Sequence, residues 1–97
     1  MEMQPGLPSL PSATWVDETL ISDHDRIVAI RFGRSADPVC RVYDAELSDA
    51  VTLLGAHLRA YTVDIDAVPD FTAMYELYDP CTIMCFFRSR PVRCRPC

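Results

Sequence analysis

A chain of 97 residues, 49% of them apolar, makes one domain with a modest core, since a chain this short buries only roughly two thirds of the surface its unfolded form exposes, and it is too apolar to be wholly disordered. Its formal net charge of −5 disfavours a general phosphate-binding surface, because non-specific nucleic-acid affinity rests on basic side chains neutralising phosphates; a protein partner is the better expectation. No run of about 18 apolar residues is present, so no helix spans a bilayer, and five cysteines without a secretory signal argue against a disulfide framework.

The first stretch, residues 1–14, reads as a flexible arm, because Pro5, Gly6, Pro8 and Pro11 leave no hydrophobic period to follow. It carries no basic segment ahead of an apolar one and does not look like a signal peptide, which leaves a cytosolic or nuclear protein as the default. Thr14 with Asp17 resembles a weak capping box, and Val16, Leu20 and Ile21 predict a short amphipathic helix ending near His24, with Trp15 anchoring it to the core.

The centre of the chain is Ile27 to Cys40. Ile27, Val28, Ala29, Ile30 and Phe32 form an apolar, β-branched run bounded by Gly33, the pattern of a strand covered on both faces. Asp37 and Pro38 then open a helix as N-cap and first helical residue, and Cys40 follows within its first turn, where the helix dipole favours a thiolate. The junction poises a single thiol. Tyr43, Leu47, Ala50, Val51, Leu54 and Leu58 recur at helical spacing while Asp44, Glu46 and Asp49 point elsewhere, which predicts an amphipathic helix of about five turns with His57 near its C-terminal end. Tyr61, Val63 and Ile65 alternate with Thr62, Asp64 and Asp66 as a second strand. Asp64, Asp66 and Asp70 lack the glycine and glutamate of a calcium loop and read as a solvated strand end. Pro69 starts a short helix through Leu77, with Phe71, Tyr75 and Tyr78 at core spacing, and Asp79-Pro80 breaks it before a third strand, Thr82 to Phe87. Strand, helix, strand, helix, strand is the order of an α/β unit with right-handed crossovers. Residues 89–97 hold three arginines, two prolines and two cysteines and read as a tail. Arginine serves for every one of the nine basic residues, which reads as a coding bias.

Four phrases carry a family resemblance: Ile30-Arg31-Phe32-Gly33, Asp37-Pro38-Val39-Cys40, Val68-Pro69-Asp70-Phe71 and Met74-Tyr75-Glu76-Leu77-Tyr78-Asp79-Pro80-Cys81-Thr82. In order and spacing they resemble the Dim family of thioredoxin-like spliceosomal proteins, the thioredoxin-like protein 4 family, from about Trp15 to Arg88, with Met74 to Thr82 the most specific part. The resemblance implies a thioredoxin-like α/β domain over residues 15–88, between the arm and the tail. It implies a non-catalytic component of the U5 small nuclear ribonucleoprotein and tri-snRNP in the nucleus, acting in pre-mRNA splicing through protein contacts. Its association with RNA is then indirect, with no cofactor, no small-molecule substrate and no membrane. Family members can carry cysteines at the positions of Cys40 and Cys81, which the fold brings together; a disulfide and two buried free thiols are both open readings here. Ala36 stands where the family often has tryptophan, and Cys85 interrupts its aromatic strand. Members also continue past Phe87-Arg88 with a further strand pair and a terminal helix, so the fold is expected to be incomplete and the chain a truncated or misspliced product. Loss of that helix is expected to expose a face bearing Ile30, Phe32, Ile83 and Phe87.

Dithiol exchange needs a nucleophilic and a resolving thiol a few residues apart at a helix N-terminus. On the thioredoxin pattern Trp-Cys-Gly-Pro-Cys this chain reads Ala36-Asp37-Pro38-Val39-Cys40, so Asp37 takes the nucleophile's place. The buried acid that assists proton transfer falls at Arg31, and the cis-proline falls at Cys81, one residue after Pro80. Dithiol oxidoreductase activity at this junction is therefore rejected. A competing reading is a thiol-redox protein using Cys40 with Cys81 or the terminal Cys94-Arg95-Pro96-Cys97, the latter a weak half-site for exchange or zinc because no scaffold positions it; another is a non-functional fragment.

Overall fold

The computed structural model describes residues 7–23, 25–75, 77, 81–88 and 90–92. Among the described residues, three helices, one 3-10 turn and a four-stranded mixed sheet run in the order α1 (Ala13–Ser22), β1 (Ile27–Gly33), α2 (Pro38–Leu54), the turn Gly55–His57, β2 (Leu58–Asp64), α3 (Asp70–Met74), β3 (Cys81–Phe87) and β4 (Arg90–Val92). The strand order is β2-β1-β3-β4, with β1 parallel to β2 and antiparallel to β3. The β1-α2-β2 connection is thus a parallel crossover, whereas the connection through α3 to β3 returns the chain antiparallel.

Strand alternation divides the core between the two faces of β1. Val28, Ile30 and Phe32 pack with Val16 and Leu20 of α1, Val63, Phe71, Leu77 and Phe86. Ala29 packs on the other face with Leu47 of α2, Leu58 and Ala60. An aromatic cluster fills the first face: Phe32 lies 5.7 Å from Phe71 between centroids, and Tyr75 stacks on Phe71 at 5.9 Å. Ile30 and Phe32 are therefore fully covered by α1 and α3, contrary to the expectation that they share an exposed face with Ile83 and Phe87. The partly open face is the opposite one, where cross-strand register sets Ile83 beside Arg31 and Phe87 beside Ile27.

Several boundaries differ from the sequence reading. The arm is not free at residues 8–10: Leu10 N–H donates to the Thr62 carbonyl and Thr62 N–H to the Pro8 carbonyl, both at 2.9 Å, and Leu10 is buried. Ser12, not Thr14, caps α1, its Oγ accepting from Trp15 N–H at 3.3 Å. With Val16 and Leu20 turned inward, Trp15 lies about 100° round the helix and is 55% exposed, so it does not anchor α1. Ile21 is exposed too. Helix α2 stops at Leu54 because Gly55 takes φ 53, a conformation that suits glycine, and Leu58 begins β2 instead of closing the helix. Arg90–Val92, expected in the tail, forms an edge strand, and Pro91 is tolerated there because an edge leaves one side of the backbone without a ladder partner. Met1 to Gly6, His24, Tyr78, Asp79-Pro80 and the terminal Cys-Arg-Pro-Cys lie outside the described residues.

Candidate functional site

The junction between β1 and α2 takes the predicted form. Asp37 has extended backbone (φ −73°, ψ 130°) and Pro38 follows at the start of α2. The Asp37 carboxylate accepts from Val39 N–H at 2.8 Å, and its carbonyl accepts from Arg41 N–H at 3.1 Å. A carboxylate spent on capping is held at the place a thioredoxin gives to its nucleophile.

Cys40 points from the first turn of α2 into the core and has no accessible surface. Cys81 begins β3 opposite Gly33 of β1 and is also buried. The fold thus brings together the two cysteines singled out from the sequence, and in this structure neither is in a disulfide. Burial pushes the Cys81 thiol up to about 12, aided by the hydrogen bond it donates to Cys40 and by the proximity of that second sulfur, against the opposing pull of Arg31. At neutral pH Cys81 keeps its proton and is no nucleophile. Cys85, on the same face of β3, is disulfide-bonded, whereas the cysteine count argued against a disulfide framework.

Beside the thiols lies the feature that sequence reasoning missed. Arg31 is 1% exposed and grips Asp44 bidentately, Nε to Oδ1 at 2.7 Å and Nη2 to Oδ2 at 2.8 Å, with Nη2 also reaching Ser35 Oγ at 3.4 Å. Burial opposes the guanidinium charge, but the hydrogen bonds and charge of Asp44 outweigh it and raise the Arg31 pKa further. Asp44 therefore does not point away with Glu46 and Asp49. It lies at the i+4 position from Cys40 and three before Leu47, on the inward stripe of α2. A lone arginine inside an apolar strand, with an acid on the inward face of the next helix, was the signal available. Where a thioredoxin has a proton-carrying acid, this chain has a group that cannot give up its proton.

A second bidentate pair fastens the loops above the site. Arg34 donates to Asp66 from Nε at 2.7 Å and Nη2 at 2.9 Å, Asp66 N–H bonds Asp64 Oδ1 at 2.8 Å, and Ile65 N–H reaches the Gly33 carbonyl at 3.2 Å. The Arg34 contact holds the Asp66 carboxyl below its usual range. These acids cap loops and hold an arginine, as the reading of a solvated strand end implies. His57 is exposed in the turn after α2.

Fold and site together define a thioredoxin-fold protein whose exchange centre is replaced by a capping aspartate, a buried ion pair and two buried thiols drawn from separate elements. Solved thioredoxins share the architecture at low identity: that of Fasciola hepatica aligns with a TM-score of 0.79 at 15% identity, covering 90% of this chain and 83% of its own, and mitochondrial thioredoxin 3 of Saccharomyces cerevisiae with 0.76 at 16%. The family model described as mitosis protein DIM1 matches residues 6–96, and the chain belongs to that family. Relatives include the mitosis protein dim1 of Schizosaccharomyces pombe, 45% identical over 84 residues, the spliceosomal protein DIB1 of Saccharomyces cerevisiae, 39% over 88, and human thioredoxin-like protein 4B, 35% over 81. The matched regions take up 87%, 91% and 82% of this chain and 59%, 62% and 54% of those proteins. The chain thus spans about three fifths of the length of the first two.

Proposed function

We propose that this protein is a non-catalytic component of the splicing machinery, working through protein contacts in the nucleus, with the U5 small nuclear ribonucleoprotein and the tri-snRNP as its assemblies. Kinship to proteins named spliceosomal supports the setting, and the observation that carries the non-catalytic reading is Asp37 capping α2 where exchange requires a thiol. The remaining parts agree with it. Arg31 cannot relay a proton, and Cys81 is held protonated by its burial and by Cys40. The thiol-redox reading is not favoured. Cys40 and Cys81 can still close a disulfide by giving two electrons and two protons to an external oxidant; we assign such a bond a structural role, fixing the start of α2 to the start of β3.

The test is a pull-down from nuclear extract with the tagged chain, beside a version extended by a family-type C-terminal segment. Recovery of U5 proteins that survives ribonuclease treatment is expected. Failure of both forms to recover any U5 protein would overturn the assignment, and recovery by the extended form alone would restrict it to the longer protein.

A further inference from the structure

The end of the sheet remote from the thiols gathers a basic and apolar surface that the core does not use. Ile27 and Phe87 are cross-strand neighbours and are 44% and 39% exposed. Helix α2 delivers Leu53 and Leu54, both exposed, at this same end, since Leu58, four residues after Leu54, is the partner of Ile27 across β1 and β2. Arg88 lays its guanidinium 5.3 Å over the Phe87 ring, and Arg90 is the register partner of Phe87 on the other side. Among the described residues Arg26, Arg31 and Arg34 are held by aspartates; Arg41, Arg59, Arg88 and Arg90 have no such partner, and of these Arg88 and Arg90 adjoin Phe87. Of the nearby carboxylates, Asp23 is engaged by Arg26 and by the Tyr61 hydroxyl, and Asp25 sits in the connection from α1 to β1.

We infer that this surface is a docking site for an acidic, aliphatic-rich peptide segment of a protein partner. Charge complementarity selects that occupant. In a chain of net charge −5, two unpaired arginines flank half-open aliphatic and aromatic side chains, so apolar anchors can enter between Ile27, Phe87 and Leu54 while carboxylates meet Arg88 and Arg90. Nucleic acid fits less well, because the acids of the rest of the molecule repel a polyanion. Addition of a strand beside β4 is opposed by Pro91 at its centre, which has no N–H to offer. The inference rests on exposure and charge alone and stands whatever assembly the protein serves.

The probe is a labelled peptide of about 12 residues alternating glutamate with leucine and valine, the extended type that reads a surface by side chains, titrated into the full chain beside its glutamine counterpart and an oligouridine of equal length. Saturable binding of the glutamate peptide that weakens about tenfold in Arg88→Glu/Arg90→Glu, with salt-dependent affinity, supports the inference. Arg41→Glu carries the same charge change as Arg88→Glu at the other end of the molecule; equal weakening by these two single substitutions would reduce the effect to net charge and overturn it. So would tighter binding of oligouridine, no saturable peptide binding, or sedimentation showing that this surface pairs copies of the chain. Thermal melts of each variant confirm folding, and Phe87→Gln, at a half-exposed position, gives a second variant that keeps the charge and is expected to weaken the peptide.

Discussion

The two ends of the sheet treat charge in opposite ways. At the thiol end every arginine the strands and loops deliver meets a carboxylate: Arg31 is sealed onto Asp44 and Arg34 clasps Asp66. At the remote end Arg26 is held by Asp23, but Arg88, over the exposed Phe87 ring, and Arg90, its register neighbour, stand unpaired. An arginine already engaged by a carboxylate has little left to offer a partner, whereas unpaired charge beside apolar area is what a partner can use. At the first end this chain holds a capping carboxylate, a buried ion pair and two buried thiols.

The largest effect that sharpens the contrast is expected from Asp44→Ala, which strands a guanidinium inside the core and costs about 3 kcal/mol of unfolding free energy, at the lower edge for a broken buried pair because Asp44 is partly exposed. Denaturant titration checks it, and Arg31→Met/Asp44→Leu should recover most of the loss, since apolar replacement of both partners is often neutral; a double variant worse than either single change would show that the pair does more than hold charge. Asp37→Ala is expected to cost about 1 kcal/mol as a lost N-cap. Single alanines at Arg88 or Arg90 should move stability by no more than about 0.5 kcal/mol, and a larger loss there would break the contrast. Alkaline pH supplies a further distinction. Because Cys81 is raised from 9.0 to about 12, the folded chain holds that proton while the unfolded chain releases it, so stability is fully present below about pH 9 and falls as pH rises toward about 12. Tyr61, raised by burial and by its bond to Asp23, acts in the same direction. Comparing denaturation midpoints of the parent, Cys81→Ser and Tyr61→Phe across that range separates the two, with the flatter profile expected for Cys81→Ser.

Much of this was legible in the chain. The run Ile27–Phe32, closed by Gly33 and followed by Asp37-Pro38, announced a buried strand and a capped helix because those signals are local: side-chain period, N-cap chemistry and the fixed φ of proline. The substitution of the exchange centre was legible too, residue by residue, at Asp37, Arg31 and Cys81. Longer-range features were not. Whether Asp44 faces water or the core depends on a partner thirteen positions earlier in the chain, and amphipathic patterning assigns an acid to the wet side by default. The pairing of residues 8–10 with Thr62 and of Arg90–Val92 with β3 comes from backbone hydrogen bonds, which the proline-rich composition of both stretches conceals. Trp15 failed as an anchor because Val16 and Leu20 fix which side of α1 faces the sheet, and Trp15 lies about 100° round from it.

The central claim, that the thiol end is structural and carries no exchange chemistry, is tested most directly by insulin reduction with the unmodified chain beside Cys40→Ser and Cys81→Ser, each checked for folding by its thermal melt. The account predicts that all three reduce insulin no faster than the reductant alone. A rate above that background in the unmodified chain, lost in both variants, would contradict it.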